Sequence, residues 1–285
     1  MLEQSSLAPA LDLPTAEEAR DLRLVALDMD GTLVRSDKTV NDEFWPVAEE
    51  LIGRGIVLVA ASGRQRGAIM ETMAPVGDRI TVLSENGAVA WQGEEVLRAE
   101  TVDRETTVRV ATAVRALAAQ GRDTGLVAGA PSRAYVERSD ATFLAHVRHF
   151  YPVVEVVDDL TDLPEDVVKL ATWDAEPIVE AVVPALQALE LDAAIVRSHE
   201  YWADVMRAGA SKGAALTRLR ESLGIPREAS AAFGDHFNDL AMLQSVGMPF
   251  AVANAEPEIR SAARFVAPSN DEDGVMHVLR ALLAA

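Results

Sequence analysis

An apolar run near the start of the chain ends in two carboxylates: Leu24-Val25-Ala26-Leu27-Asp28-Met29-Asp30-Gly31-Thr32-Leu33. A run that is apolar on successive residues predicts a strand that is buried on both faces, as in a parallel sheet. The Gly-Thr pair that follows predicts a turn. Because ligands of open α/β sheets bind outside the carboxyl ends of such strands, Asp28 and Asp30 are expected to lie at a binding crevice.

The two aspartates favour a divalent cation. Carboxylates this close together repel each other unless a cation or a shared proton intervenes, and Mg²⁺ with oxygen ligands meets that need. The pattern therefore predicts a Mg²⁺ site at Asp28 and Asp30. The alternative interpretation of so short a motif is a strand-to-loop junction whose aspartates cap the turn.

Composition limits the classes of function. The chain has 285 residues, of which 49% are hydrophobic, enough for one large or two moderate domains. Its 26 basic and 45 acidic residues give a formal charge of −19, which disfavours binding to nucleic acid or to an anionic membrane. Any anionic ligand must then be met locally, by a metal and a few cations. Cysteine is absent, which excludes disulfides, thiolate metal sites and cysteine nucleophiles.

The location expected from the sequence is the cytoplasm. No apolar run reaches the roughly 18 residues of a membrane span. The segment before Arg20 lacks the basic start of a signal peptide. No membrane partner is therefore predicted, and the absence of cysteine suits a reducing compartment.

The order of predicted elements indicates an α/β fold with an insertion. Strands at 24–27, 56–61 and 79–83 alternate with helices at 42–54 and 66–73, which is typical of parallel βαβ units. Between about residues 88 and 206, strands come in adjacent pairs between helices, one of which is predicted at 176–189, and this order predicts an antiparallel sheet with helices on one face. The parallel pattern then resumes with a helix near 211–224 and strands near 229–233, 249–252 and 264–266.

These patterns predict a Rossmann-like parallel sheet core with an inserted α+β cap domain. The expected division is a mobile leader at 1–21, a core formed by 22–88 and 207–285, and an inserted domain at 89–206. Chemistry-bearing residues follow the strands or begin a helix of the predicted core: Asp28 and Asp30, Ser62, Lys212, and then Asp235, Asn238 and Asp239. Since parallel strands share one carboxyl edge, these residues are expected to converge on one crevice.

This set of residues resembles the haloacid dehalogenase superfamily of phosphatases from about Leu22 onward. The matching motifs are Asp28-Met29-Asp30-Gly31-Thr32, Ser62, Lys212, and Gly234-Asp235-His236-Phe237-Asn238-Asp239. The insertion resembles the large α+β cap of the Cof-type branch (IIB). Three further segments share that resemblance: Ser62-Gly63-Arg64, Glu85-Asn86-Gly87 and Ser269-Asn270-Asp271-Glu272-Asp273-Gly274-Val275.

The residues and the resemblance suggest the same chemistry. A carboxylate is a competent nucleophile toward phosphorus, so Asp28 is the predicted nucleophile, and Asp30 the predicted general acid and base. The resemblance implies metal ligands at the Asp28 side chain, the Asp30 carbonyl and Asp235.

The remaining site residues are assigned to phosphate or to support. Residues expected to bind substrate or phosphate are Met29, Ser62, Gly63, Arg64, Lys212 and Asn238. Supporting roles are expected for Thr32, Asn86 and Asp239, the last orienting Lys212 or a metal-bound water. For Asn86 the alternative is an ordinary turn residue.

The predicted function is a Mg²⁺-dependent phosphomonoester hydrolase acting on small phosphorylated metabolites through an aspartyl-phosphate. The resemblance implies sugar phosphates, nucleotide-like phosphates or flavin precursors, handled by a monomer or small homo-oligomer. One alternative is a phosphomutase of the same fold, which would return the phosphoryl group to a sugar. A non-catalytic phospholigand-binding protein is another, although mere binding has no use for an acid/base carboxylate beside the nucleophile.

Overall fold

The computed structural model of the chain describes residues 13–285. Its contacts divide the chain into two compact units, one formed by Met1–Leu58 with Leu219–Ala285 and the other by Val59–Arg218. The boundaries predicted from the sequence, at residues 88–89 and 206–207, stay a prediction. Each unit is described separately below.

The strands alternate with helices through most of the chain. The strands are β1 (Leu24–Asp28), β2 (Val57–Ala61), β3 (Thr81–Ser84), β4 (Val89–Gln92), β5 (Glu95–Ala99), β6 (Thr124–Gly129), β7 (Ala134–Val136), β8 (Val154–Val156), β9 (Lys169–Asp174), β10 (Ala193–His199), β11 (Trp202–Arg207), β12 (Ser230–Gly234), β13 (Met248–Val252) and β14 (Phe265–Ala267). The helices are α1 (Ala16–Arg20), α2 (Phe44–Gly53), α3 (Arg66–Thr72), α4 (Arg104–Ala119), α5 (Ala141–Phe150), α6 (Val182–Gln187), α7 (Lys212–Ser222), α8 (Leu240–Gln244), α9 (Pro257–Ala262) and α10 (Gly274–Ala284).

The first unit contains a parallel sheet. Its strand order is β14-β13-β12-β1, and each neighbouring pair runs parallel. The N–H of Val57, where β2 begins, donates to the carbonyl of Arg23, just before β1 (2.9 Å). Strands β1, β12 and β13 are buried along their whole length, which explains their continuous apolar sequence. The parallel α/β core predicted from the sequence is confirmed.

The end of the predicted leader is helical. Residues 1–12 of that prediction lie outside the described part of the chain. The remainder includes α1, whose N-cap residue Thr15 forms a capping box with Glu18, and Glu18 also pairs with Arg264. The Thr-x-x-Glu spacing of these residues is a helix-start signal present in the sequence itself.

The second unit contains two sheets. Strand β3 pairs parallel with β2 from Val59 onward, and β3, β4 and β5 are antiparallel neighbours. The other sheet has the order β10-β11-β9-β6-β7-β8 and is antiparallel except between β7 and β8. In residues 13–285 no helix has the length and apolar character that a membrane crossing requires.

Helices cover both faces of the six-stranded sheet, so the expectation of helices on one face was wrong. Leu126 and Ala128 pack in a core with residues of α4 and α6, whereas Val127 packs with Phe143 and Val147 of α5. Since successive residues of a strand point to opposite faces, α5 lies on the face opposite to α4 and α6. Every residue of β6 and β9 is buried, which requires helices on both faces of the sheet.

Two further elements differ from the prediction. The hairpin of β4 and β5 was not predicted, because β5 is largely exposed and carries no continuous apolar run. The helix expected at 176–189 begins at Val182. Upstream, the N–H of Glu176 donates to the Asp174 carboxylate (2.9 Å) and that of Ile178 to the Glu200 carbonyl (2.9 Å), so these amides have partners outside any helix.

Candidate active site

A cluster of carboxylates lies at the carboxyl edge of the sheet in the first unit. The parallel register pairs Leu27 of β1 with Phe233 of β12, so the residues that follow them emerge side by side. Asp28, Asp235 and Asp239 each offer an oxygen, and these oxygens lie within 4.8 Å of one another. Asp28 and Asp239 are buried, at 5% and 0% exposure. The structure thus brings together three of the predicted site residues.

The surroundings of Asp235 disfavour the charged form of its carboxyl group. Burial raises its pKa, and so does the charge of Asp239. Hydrogen bonds with Thr32 and Asp28 act in the opposite direction without cancelling the rise. The hydroxyl of Thr32 donates to Asp235 Oδ1 at 3.0 Å, which fixes the carboxylate in place.

Asp239 supports the loop after β12. Its Oδ2 accepts the backbone N–H groups of Asp235 (3.1 Å) and His236 (3.2 Å). A Cβ on Gly234 would lie 2.5 Å from the Cβ of Asp239, so the close approach requires glycine. Through these hydrogen bonds Asp239 holds the backbone of the loop in place. Its predicted action on Lys212 or on a metal-bound water stays a prediction. Asn238 is exposed on the same loop.

The chain reverses tightly after Asp28. The carbonyl of Met29 accepts the N–H groups of Leu33 (3.1 Å) and Val34 (2.8 Å). Within this turn the Asp30 side chain is 43% exposed, and Lys38 Nζ lies 3.7 Å from its Oδ1. Asp30 is therefore more accessible than Asp28, as a residue that exchanges protons with substrate and water needs to be.

Gly31 allows this turn to approach Asp235. Its φ is +78°, and a Cβ there would lie 2.4 Å from Asp235 Oδ2. Its carbonyl accepts a hydrogen bond from Asn254 Nδ2 at 2.7 Å. Three converging carboxylates, with a main-chain turn close against Asp235, are a donor set that fits a hard divalent cation such as Mg²⁺.

Gly31→Ala is expected to lose activity and stability together. The left-handed backbone alone costs an alanine about 1–2 kcal/mol, and here the new methyl group also displaces the Asp235 carboxylate. Gly55→Ala is the matched control, because Gly55 has φ +77° and nothing within 4 Å of its Cβ position. Chemical denaturation and phosphatase assays of both variants measure the difference. Equal stability and equal activity in the two variants would contradict the close approach.

A second group of predicted residues lies in the second unit. Ser62 directly follows β2, and its N–H donates to the Leu83 carbonyl at 2.9 Å. Its own carbonyl accepts the N–H of Asn86 (2.9 Å), and its hydroxyl accepts the N–H of Arg64 (3.2 Å). A Cβ on Gly63 would lie 3.1 Å from Asn86 Oδ1, so Gly63 and Asn86 are neighbours.

Lys212 belongs to the same group. A Cβ on Gly87 would lie 2.5 Å from the carbonyl oxygen of Ser211 and 2.9 Å from Cα of Lys212. Ser211 caps α7, since its hydroxyl accepts the N–H of Ala214 at 3.1 Å. Lys212 is completely buried at the start of that helix. The segments 62–64, 85–87 and 211–212, far apart in sequence, therefore meet within this unit.

Residues 269–275, one of the segments that carry the family resemblance, hold the loop that follows the Asp28 turn. Asp273 accepts hydrogen bonds from Arg35 (2.8 Å) and Asn41 (2.7 Å), and Asn270 Nδ2 donates to the Val34 carbonyl (3.0 Å). Sequence reasoning missed Lys38 and Asn254 altogether. Both lie in turn regions with no periodic or motif signal that could have pointed to them.

Comparison with known proteins gives consistent matches. The profile of the haloacid dehalogenase-like hydrolases matches residues 25–279. The Escherichia coli K12 5-amino-6-(5-phospho-D-ribitylamino)uracil phosphatase YbjI is 28% identical, over 92% of this chain and 96% of that protein. Phosphatase YwpJ of Bacillus subtilis is 29% identical, over 92% of this chain and 100% of its own length. A crystal structure of a Eubacterium rectale protein matches with a TM-score of 0.85 at 28% identity, covering 92% of this chain and 99% of that one.

Proposed function

Because the chain belongs to the haloacid dehalogenase-like hydrolases, we propose that it hydrolyses small phosphate monoesters with Mg²⁺ and through a phosphorylated Asp28. The observation that carries this proposal is the meeting of the Asp28, Asp235 and Asp239 oxygens within 4.8 Å at the edge of the sheet. Three acidic side chains clustered at a sheet edge repel one another unless a cation lies between them, and such a cluster is typical of a functional site.

Asp28 is the nucleophile in this proposal. One of its carboxylate oxygens forms a bond to phosphorus while the bond between phosphorus and the ester oxygen breaks. Asp30 gives its proton to the leaving oxygen. It then takes a proton from the water that attacks the phosphorylated Asp28, which releases inorganic phosphate and restores both carboxyl groups.

The metal and the cations balance the charge of the phosphoryl group. Asp28, the Asp30 carbonyl and Asp235 would hold Mg²⁺, which supplies positive charge at the transferring phosphoryl oxygens. Lys212 contributes a further positive charge to the same task, and the Ser62 hydroxyl donates a hydrogen bond. The Met29 amide, Gly63, Arg64 and Asn238 are proposed as further phosphate contacts. Thr32 holds Asp235 in position for this role.

The substrate proposed first is the flavin-precursor phosphate on which YbjI is named to act. Sugar phosphates and nucleotide-like phosphates are the other members of the proposed class. We also propose a cytoplasmic location, where such metabolites occur and where a cysteine-free chain needs no oxidising environment.

Release of inorganic phosphate tests the function. We expect Mg²⁺-dependent release from p-nitrophenyl phosphate, and faster release from at least one phosphorylated metabolite in a panel that includes 5-amino-6-(5-phospho-D-ribitylamino)uracil. Phosphoryl return to a sugar with little free phosphate would instead indicate a phosphomutase. Binding of phosphorylated ligands without any turnover would contradict an enzymatic function.

Asp30→Asn is expected to separate the two chemical steps. An amide cannot protonate a leaving group or deprotonate water, and loss of such a group costs about 10²–10⁴-fold in rate. With p-nitrophenyl phosphate, whose leaving group departs without a proton, we expect a burst of one p-nitrophenolate per active site followed by slow turnover. Rapid-mixing absorbance measurements show this, and a linear trace at the wild-type rate would contradict the role of Asp30.

A further inference from the structure

A buried ionic cluster in the second unit links the turn at residues 85–87 to two residues of the six-stranded sheet, Lys169 and Asp204. Lys169, the first residue of β9, is ion-paired with Glu85, and its Nζ lies 3.9 Å from Asp204 Oδ2. The three residues are 7%, 0% and 4% exposed. The ammonium also lies 5.3 Å from the ring centroid of Tyr151, which is itself buried.

Such a cluster is costly to bury, which points to a role beyond stability. Removing charged groups from water is energetically costly, and apolar side chains of similar volume in their place often give an equally stable protein. Burial by itself would lower the pKa of Lys169, but the charges of Glu85 and Asp204 outweigh it and hold that pKa well above its ordinary value. Burial also raises the pKa values of the Glu85 and Asp204 carboxyl groups, so these three groups depend on one another for charge compensation.

Glu85 belongs to a turn of unusual backbone conformation. Glu85, Asn86 and Gly87 all have positive φ, at 51°, 55° and 86°. Left-handed conformations are unfavourable for residues with a Cβ and persist where surrounding contacts impose them. The contact between Glu85 and Lys169 is such a constraint, because it ties the side chain of the first turn residue to the rigid end of a buried strand.

The same turn holds the proposed phosphate-binding residues. The N–H of Glu85 donates to the Arg64 carbonyl (3.0 Å), and the N–H of Asn86 donates to the Ser62 carbonyl (2.9 Å). Gly87 packs against the backbone of Ser211 and Lys212. A shift of this turn would therefore displace both Ser62 and the beginning of α7.

We propose that Lys169 is a positioning residue: through its pair with Glu85 it fixes the turn at residues 85–87, and through that turn it places Ser62 and Lys212. This inference rests on the proposed function, because it assigns Ser62 and Lys212 to the phosphoryl group. Lys169 itself takes no part in the chemistry.

Lys169→Met and Glu85→Gln are the test variants. Each removes one charge of the pair at nearly constant volume, and each is expected to lower kcat/KM about 10- to 100-fold, since small misplacements of binding groups cost this much. Inhibition by inorganic phosphate should weaken in parallel. Glu85→Gln keeps the experiment decisive if Lys169→Met fails to fold.

Arg122→Met is the matched control. Arg122 pairs with the buried carboxylate of Asp174 at 2.7 Å, and Asp174 is the last residue of the strand that Lys169 begins. Loss of this pair should lower the melting temperature without changing kcat/KM or phosphate inhibition. A defect caused by general destabilisation would instead appear in all three variants.

A double-mutant cycle with Ser62→Ala tests whether Lys169 affects kcat/KM through the position of Ser62 or independently of it. If Lys169 acts through the placement of Ser62, the combined loss in kcat/KM is smaller than the product of the single losses. Multiplicative losses, or folded Lys169→Met and Glu85→Gln proteins with wild-type kinetics, overturn the proposal. An inactive wild-type protein would instead defeat the proposed function, so the two failures are distinguishable.

Discussion

Asp28→Asn is expected to lower kcat by about 10⁴-fold or more, the size of loss seen when a covalent nucleophile is removed from an enzyme. The amide is a poor nucleophile toward phosphorus and gives no acyl phosphate that water could hydrolyse. Its shape is nearly that of the carboxylate, so the loss reports chemistry rather than packing. Steady-state phosphate release at saturating substrate measures it.

The folded state should tolerate this change well. Asp28 is buried beside Asp235 and Asp239, so removal of its charge relieves repulsion in the cluster. We therefore expect a melting temperature equal to or above that of the wild type in metal-free buffer. Asp42→Asn, at an exposed position outside the cluster, is the control for the same chemical change. An Asp28→Asn protein with near wild-type kcat would remove the nucleophile from the mechanism.

Removal of divalent metal is expected to abolish turnover, and added Mg²⁺ is expected to restore it. Without the cation, the carboxylates face the phosphate anion with their own negative charge, in a chain whose formal charge is already −19. Dialysis against a chelator followed by titration with Mg²⁺ measures the requirement. Full activity in chelator would contradict the assignment of a metal to Asp28, Asp30 and Asp235.

A thermal readout makes this test independent of catalysis. A ligand that binds only the folded state, at a free concentration of 100 times its Kd, adds about 2.7 kcal/mol to the free energy of unfolding. The wild-type melting temperature should therefore rise with Mg²⁺, and Asp235→Asn should lose most of that rise. Asp42→Asn should keep it, because that residue is outside the carboxylate cluster. An equal rise in all three proteins would place the metal elsewhere.

Much of the fold was predictable because burial alone determines the sequences of its central strands. The run at 24–27 and the segments that became β12 and β13 are buried on both faces, so nearly every residue is apolar and the signal is strong. The family resemblance and the phosphatase class derived from it are confirmed by the matching profile and by the named relatives.

What failed depended on contacts between distant residues. The hairpin β4–β5 has an exposed strand with little pattern, and the early part of the helix expected at 176–189 is replaced by turns whose amides bond to Asp174 and Glu200. Helices lie on both faces of the six-stranded sheet because β6 and β9 are buried on both sides by segments that are distant in sequence. Local propensity carries no information on such pairings.

The motif residues of the candidate site were predictable from the sequence. The residues that hold them in place were not. Asp28, Thr32, Asp235 and Asp239 were named from the sequence and lie together in the first unit. Lys169 was not named, because a single lysine that starts a strand gives no local sign of a buried pair with Glu85, 84 positions earlier. Roles that depend on the fold itself become visible only in the structure.

The most direct test of the central claim is to trap the phosphorylated enzyme. Asp30→Asn protein is mixed with a substrate carrying radioactive phosphorus, quenched in acid during the burst, and digested for peptide mapping. The mechanism predicts a label on the peptide containing residues 24–33, released by hydroxylamine as expected of an acyl phosphate, and missing in Asp28→Asn. A label on another residue, or a full burst with no label on the protein, would contradict it.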